Sequence, residues 1–261
     1  ALYSNGKHYC FSCQTLTPAE NQVEAVAMLE TVDSIFLDIE YKELKKRGIS
    51  QKTCEFWGYG TSKYKGQPVQ VANYRSRNGD LVAQKIRFAN KDFSVIGNMK
   101  HVNLFGEHLW RDGGKSIIIT EGELDALSMS QVQDNKYPVV SLPSGCTSAK
   151  KAVGKSLEWL SNFDSIVLMF DMDEVGQQAA KEVASILPPN KAKIASLPLK
   201  DANEMLVAGR VAELIDAFWA AKTFRPDGIV AGTDLWDVVT TDDEKEAMTY
   251  PFTGMQEKTG G

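Results

Sequence analysis

The chain has 261 residues, of which 43% are hydrophobic and 24% are charged, and its formal net charge is −5. These values are ordinary for a globular protein and fit one large domain or two small ones. The negative balance argues against nonspecific wrapping of nucleic acid over the whole surface, but a local basic groove is compatible with it. We find no apolar run as long as a membrane span and no secretory leader, so we expect no membrane partner.

Four cysteines are spread along the chain, too few for a disulfide scaffold, which favours a reducing, cytoplasmic location. Cys10 and Cys13 form a Cys-x-x-Cys pair, which is half of a zinc ribbon. Because tetrahedral zinc needs four ligands, the pair predicts Zn²⁺ binding only if a second cysteine pair precedes Ala1. Two free thiols in a turn explain the pair equally well. The abrupt start at Ala1 predicts a fragment of a longer protein.

The first structured part of the chain is predicted to mix helices and strands. Residues 40–57 have apolar side chains spaced roughly by helical turns, and Ser50 can cap a second helix within that stretch. Residues 67–88 predict a hairpin, because two alternating strands flank Asn78-Gly79, a strong turn signal.

Three basic residues lie in or just after the second strand of this hairpin. Lys85 and Arg87 share one face of the second strand, and Lys91 lies in the next loop. Such alternation is typical of a solvated strand face. Binding of phosphate is the alternative, and only the acidic residues downstream favour it.

Residues 115–221 alternate between apolar strands and helices with short connections. Strands are predicted at 116–120, 138–142, 165–170 and 192–197, and helices at 123–133, 148–160, 174–187 and from 202 to about 221. This succession predicts an α/β fold with a mostly parallel sheet flanked by helices.

Acidic residues follow three of these strands: Glu121, then Asp171 and Asp173, then Asp201. Asp125 lies one helical turn beyond Glu121. Since the carboxyl ends of parallel strands lie along one edge, the acids are predicted to converge. Crowded carboxylates favour Mg²⁺ or Mn²⁺, and two such ions support phosphoryl transfer. One such cluster is typical of a helix cap, but three at equivalent strand ends favour a metal site.

The loop at residues 143–151 is small and contains glycine, and it opens a predicted helix after a strand. Its helix N-terminus, with Lys150 and Lys151, is predicted to hold phosphate or a base. A plain turn capped by Ser148 is the alternative, and the residues leave both open.

Several segments together resemble a known family. The Glu-Gly-Glu turn of ITEGELDALS and the Asp-Met-Asp of FDMDEVGQQAAKEVA resemble the Toprim fold of DnaG-type primases, topoisomerases and some nucleases. With YCFSC, NYRSRNGDLVAQKIRF, LPLKDANEML and PFTGM, they resemble the primase half of the primase–helicases of T7-group phages. The resemblance covers nearly the whole chain. It implies a Toprim-type sheet preceded by a mixed α+β N-terminal subdomain.

The resemblance also implies residue roles. Glu121, Asp171 and Asp201 match the magnesium-binding acids, and Asp173 and Asp125 support them. The positions that would face the incoming nucleotide and template are Lys85, Arg87 and Lys91, to which we add Lys150. Cys10 and Cys13 match the second pair of a four-cysteine zinc ribbon.

The implied activity is that of a DNA primase, which joins ribonucleoside triphosphates into short RNA primers on single-stranded DNA during phage replication. The implied partners are the helicase domain of the same polypeptide, a hexameric ring and the replicative DNA polymerase in the host cytoplasm. The implied boundaries are 1–17 for the ribbon remnant, 18–39 for a linker, 40–114 and 115–224 for the two catalytic subdomains, and 225–261 for the linker to a helicase. A Toprim nuclease and a noncatalytic DNA-binding module remain as alternatives.

Overall fold

A computed structural model describes residues 8–10, 15–17 and 36–225 of the chain. The chain divides into two compact units, residues 1–224 and 225–261, and of the second unit only Arg225 is described. Cys13 and residues 226–261 of the expected linker to a helicase lie outside the described residues. In the described ranges, no helix is both long and apolar enough to cross a membrane.

The first described element is an antiparallel pair of short strands, β1 (His8–Cys10) and β2 (Thr15–Thr17). Cys10 is therefore the last residue of β1. The half zinc site of Cys10 and Cys13 stays a prediction.

Of the two helices predicted within residues 40–57, only the second is present as a regular helix. A 3-10 turn at Lys45–Arg47 ends at Gly48, whose φ of 65° is a left-handed conformation that a continuing helix cannot adopt. The regular helix α1 (Gln51–Trp57) begins after Ser50, whose side chain accepts a hydrogen bond from the backbone N–H of Thr53, as predicted. The second predicted helix is therefore confirmed, whereas the first is reduced to a 3-10 turn that ends at Gly48.

A four-stranded antiparallel sheet follows, in the order β3-β4-β5-β6. Its strands are β3 (Tyr59–Tyr64), β4 (Gln67–Arg75), β5 (Leu81–Arg87) and β6 (Phe93–Gly97). The predicted hairpin is confirmed as β4 and β5, whereas β3 and β6 were not predicted. Lys85 and Arg87 share one face of β5, and Ile86 on the other face packs with Val69 and Val71.

The second half forms an α/β unit with strand order β11-β10-β9-β7-β8. The strands are β7 (Gly114–Thr120), β8 (Val139–Ser141), β9 (Phe163–Met169), β10 (Ala192–Ile194) and β11 (Lys222–Thr223). The helices are α2 (Glu123–Val132), α3 (Ala149–Lys155), α4 (Leu157–Leu160), α5 (Glu174–Ala184), α6 (Ala202–Val207) and α7 (Val211–Trp219). All neighbours are parallel except β10 and β11, so the predicted fold class is confirmed.

The central strands of this sheet are buried on both faces. Ile117 of β7 belongs to a core that includes Val183 of α5. Its neighbour Ile118 belongs to a second core, which includes Leu127 of α2 and Tyr74 of β4. Since adjacent residues of a strand point to opposite faces, helices cover one side. The other side packs partly against the antiparallel sheet, so the two sheets share this second core.

Gly106 lies in the segment between the two sheets, with a φ of 86°, and a Cβ there would lie 2.2 Å from Cζ3 of buried Trp57. We predict that Gly106→Ala lowers the free energy of unfolding by about 2 to 5 kcal/mol, through backbone strain and overpacking. Gly66→Ala is the matched control, because Gly66 also has a positive φ (76°) but faces open space. Urea denaturation of both variants measures the difference. Equal losses would show that Trp57 is not packed against Gly106.

Candidate active site

The predicted acids lie at one edge of the parallel sheet. Glu121 follows β7 directly, Asp171 lies two residues beyond β9, and Asp201 precedes α6 after β10. Because β7, β9 and β10 are neighbours in parallel, their carboxyl ends place these three residues side by side. The cluster therefore has two causes: each acid lies just past the end of a strand, and the three strands are parallel neighbours.

The carboxylates repel one another. Burial, and then the charges of Glu121 and Asp201, raise the pKa of Asp171 to about 6. Burial, and then the charge of Asp201, raise the pKa of Asp125 well above its usual value. Both shifts have the sign that a shortage of positive charge produces.

Glu121 also has an unsatisfied oxygen. Its Oε2 is buried and has no hydrogen-bond partner, which is costly for a carboxylate. Burial, and then a hydrogen bond to Glu121, raise the pKa of the Cys146 thiol, so the nearest cysteine is a neutral donor rather than a counter-charge. An orphaned oxygen beside crowded acids fits a hard divalent cation. Nevertheless, no three His, Cys, Asp or Glu side chains of the described residues are close enough to hold one ion.

Two of the acids cap helices, which is the alternative role that the sequence left open. Asp173 Oδ1 accepts a hydrogen bond of 2.9 Å from the backbone N–H of Gly176 at the start of α5. Asp201 Oδ1 accepts one of 2.7 Å from the backbone N–H of Glu204 at the start of α6. Each cap uses one oxygen, which orients the carboxylate.

Gly176 is also required by a close approach. A Cβ at this position would lie 2.3 Å from the backbone oxygen of Asp171. The first turn of α5 therefore packs directly on the chain segment that carries Asp171, and only glycine allows this contact.

Lys200 was not predicted but lies among the acids. Its Nζ is 3.4 Å from Asp171 Oδ2 and 3.7 Å from Asp173 Oδ2, and its side chain is 58% exposed. It supplies one positive charge to this group of acids, which does not balance them. The only sequence signal is its position directly before Asp201.

Asn203 was also missed and connects the acids to a distant arginine. Its backbone N–H donates to Asp125 Oδ1 at 3.1 Å, and its side-chain amide donates to the Arg47 carbonyl and to Ser128 Oγ, both at 2.9 Å. Its Oδ1 accepts from Arg47 Nη1 at 3.2 Å. Asn203 is 4% exposed, so this network is fixed by burial.

An ion pair joins the two sheets beside the acids. Lys85 Nζ lies 2.7 Å from Glu123 Oε1 and donates to the Pro143 carbonyl at 3.1 Å. The hydroxyl of buried Tyr74 donates to the same Glu123 oxygen at 2.5 Å. Lys85 therefore does not lie on a solvated strand face. Instead it holds β5 against the turn that follows Glu121, and Glu123 is a site residue that sequence reasoning overlooked.

The other predicted basic residues lie farther along the antiparallel sheet or elsewhere. Arg87 and Lys91 line a cavity of about 930 Å³ next to β3 and β5, which Arg47 also lines. Lys150 is exposed at the first turn of α3, on the α/β unit. The structure therefore groups Arg87 and Lys91 with Arg47, and it places Lys150 apart from them on a different element.

Two family models match the chain. Residues 40–97 match the N-terminal α+β fold of the bacteriophage T7 DNA helicase/primase, and residues 118–206 match a Toprim-like model. The first covers α1 and the antiparallel sheet, and the second covers the strands and helices that carry the acids.

Curated and solved proteins agree with these matches. The chain is 40% identical to a DNA helicase/primase of Enterobacteria phage T3, over 95% of the chain but only 45% of that protein. It therefore spans about half the length of that relative. Two solved primase structures of bacteriophage T7 match over most of both chains.

A crystal structure of the primase fragment of the bacteriophage T7 primase–helicase is 38% identical, covers 84% of this chain and 92% of that one, and has a TM-score of 0.68. A structure of T7 lagging-strand DNA polymerase interacting with the primase domains of two gp4 subunits, bound to an RNA/DNA hybrid and dTTP, contains a chain that is 44% identical. That match covers 72% of this chain and 95% of the other, also with a TM-score of 0.68. The chain thus belongs to the T7-type phage primase–helicase family and corresponds to its primase part.

Proposed function

We propose that the chain is the catalytic core of a DNA primase, which synthesises short RNA primers from ribonucleoside triphosphates on single-stranded DNA. The observation that carries the proposal is the charge-deficient edge of the parallel sheet, where Asp171 has a raised pKa and Glu121 an orphaned oxygen. Membership of the primase–helicase family favours nucleotidyl transfer among the reactions that such a site can perform.

The proposed metal ligands are Glu121, Asp171 and Asp201, with Asp173 and Asp125 in support. When bound, two magnesium or manganese ions would activate the attacking 3′-hydroxyl and stabilise the departing pyrophosphate. The chain's own part is to position these carboxylates. The helix caps at Asp173 and Asp201 fix two of them, and Asn203 fixes Asp125.

The basic residues would bind the substrates. Arg87 and Lys91 carry positive charge along the cavity, which suits triphosphate or template phosphates. Two N–H groups of the Lys85 ammonium donate to Glu123 and to the Pro143 carbonyl, so the third would donate to a phosphate near the acids. Lys150 would approach from the α/β unit.

The remaining expectations belong to the same proposal. We propose the domain boundaries given by the resemblance, a zinc ribbon completed by a second cysteine pair outside this sequence, and a helicase domain in the same polypeptide. A hexameric ring, contact with the replicative DNA polymerase and a place in the host cytoplasm follow if the full protein resembles its relatives.

A Toprim nuclease would use the same acids to hydrolyse DNA. Incubating the chain with ribonucleotides, Mg²⁺ and a single-stranded template of mixed sequence distinguishes the two. We expect labelled oligoribonucleotides. Cleavage of the template without RNA products would replace our proposal with the nuclease.

We predict opposite effects of Asp171→Asn on activity and on stability. Removing a proposed ligand should lower primer synthesis about 100-fold or more. A carboxyl whose pKa is raised on folding loses stability as the pH rises from its unfolded value through its folded value of about 6. At pH 7.5 without metal, the neutral amide should therefore raise Tm by about 2 to 5 °C.

Mg²⁺ should raise the Tm of the wild type but not that of Asp171→Asn. Asp164→Asn is the matched control, because Asp164 lies exposed on the same strand, β9, and has no proposed role. A metal-induced shift that persists in Asp171→Asn would remove Asp171 from the ligand set.

Gly176→Ala tests positioning without changing an acid. The added Cβ must displace the Asp171 backbone, so we predict a loss of primer synthesis of about 10- to 100-fold with all carboxylates retained. Gly154→Ala, in α3, meets nothing within 4 Å and should leave activity unchanged. Primer synthesis at saturating Mg²⁺ is the measurement. Full activity of Gly176→Ala would show that the placement of Asp171 is not critical.

A further inference from the structure

The edge strand β6 presents an aromatic ring to solvent. Phe93 is 53% exposed and Val95, two residues on, is 46% exposed on the same face. β6 is the outermost strand of the antiparallel sheet, and no further strand of the part of the chain that the structure describes pairs with it. An exposed aromatic residue is not unusual by itself, and its surroundings decide its meaning.

Two cations flank the ring. Lys85 Nζ lies 4.8 Å and Arg87 Cζ lies 5.7 Å from the Phe93 ring centroid. Arg87 is the direct cross-strand partner of Phe93, so the two side chains share a face by register. The ring is therefore held in place by its neighbours, while about half of the residue remains exposed to solvent.

This ring lies next to the candidate active site. The same Lys85 Nζ that lies over the ring bonds Glu123 Oε1 at 2.7 Å, and Glu123 is two residues beyond Glu121. On the other side, Arg87 also lines the cavity that contains Lys91. Phe93 thus lies beside two cations, of which one reaches the turn after Glu121 and the other lines the cavity.

The charged residues near Phe93 indicate which class of ligand would bind there. Within residues 36–225, neither Arg87 nor Lys91 forms an ion pair, whereas the carboxylate of Asp92, the residue before Phe93, accepts a hydrogen bond from the side-chain amide of Asn90. An exposed aromatic ring beside Arg87 and Lys91 does not suit an apolar protein surface. It suits a polyanion that also carries flat rings, which is single-stranded nucleic acid.

We propose that Phe93 is a stacking platform for one base of the single-stranded template, and that Arg87 and Lys91 neutralise the phosphates on either side of that base. This deepens the proposed function and rests on it, because it names a template contact of the same site. The stacked base would hold the template beside the acids independently of its sequence, since every base has a π-face.

The test is the affinity of the whole chain for a deoxythymidine oligonucleotide of about 10 nucleotides, measured by fluorescence anisotropy at low salt without nucleotide or metal. An oligonucleotide of equal length and charge, with abasic sites in place of its bases, is the second ligand. The variants are Phe93→Ala and Phe93→Trp, with Val95→Ala as the matched control on the same strand and face.

Phe93→Ala should weaken binding of the deoxythymidine oligonucleotide about 5- to 100-fold and leave binding of the abasic one unchanged. Phe93→Trp should restore the affinity, and its indole fluorescence should be quenched by the bases. Val95→Ala should bind as the wild type does. Lys91→Gln should weaken both ligands and reduce the salt dependence by about one counterion.

Equal losses on both oligonucleotides, no loss in Phe93→Ala, or a wild type that does not prefer the oligonucleotide with bases would each overturn the proposal. Primer synthesis is measured on the same proteins. Normal DNA binding by Phe93→Ala together with RNA synthesis by the wild type overturns only the stacking contact. Absence of RNA synthesis by the wild type overturns the proposed function instead.

Discussion

Repulsion among carboxylates at the ends of three neighbouring parallel strands is the constraint on which the rest of the site depends. Parallel pairing of β7, β9 and β10 forces Glu121, Asp171 and Asp201 toward one edge. Without added cations this arrangement is unfavourable, because burial, and then the charges of Glu121 and Asp201, raise the pKa of Asp171. The fold tolerates the cost because the strands beneath are buried on both faces, and that burial stabilises the sheet whatever happens at its edge.

The antiparallel sheet is joined to this acidic edge by an ion pair. Lys85 is bonded to Glu123 with both side chains nearly buried, so the antiparallel sheet is fixed at the acids rather than merely near them. A buried pair of this kind adds little to stability but leaves a costly unpaired charge if one partner is removed. The pair therefore fixes the face of the antiparallel sheet that carries Lys85 next to the acidic strand edge.

Much of this could be predicted from local sequence. The acids could be located because apolar strands and the residues that follow them are local signals, and the β4–β5 hairpin because Asn78-Gly79 determines its turn. Strands β3 and β6 escaped prediction because their polar or exposed side chains give no clear alternation. The first helix within residues 40–57 was predicted too long because the β-bridges of Glu40 with Thr61 and of Leu44 with Ile49 leave no periodic trace in the sequence.

The contacts that could not be predicted are long-range. Lys85 meets Glu123 across 38 positions, and Arg47 meets Asn203 across 156. No spacing rule connects such pairs. Lys85 looked like a solvated strand residue for this reason, although its environment is an ion pair between two sheets.

Direct detection of divalent-ion binding tests the central claim. Mn²⁺ added to the chain without nucleotide or DNA can be counted by electron paramagnetic resonance, since bound and free ions give different signals. Saturable binding in the wild type that is lost in Glu121→Gln, which removes the charge beside the orphaned oxygen, is the predicted result. Binding that is absent from the wild type, or equal in the variant, would contradict the view that crowded carboxylates make this edge a metal site.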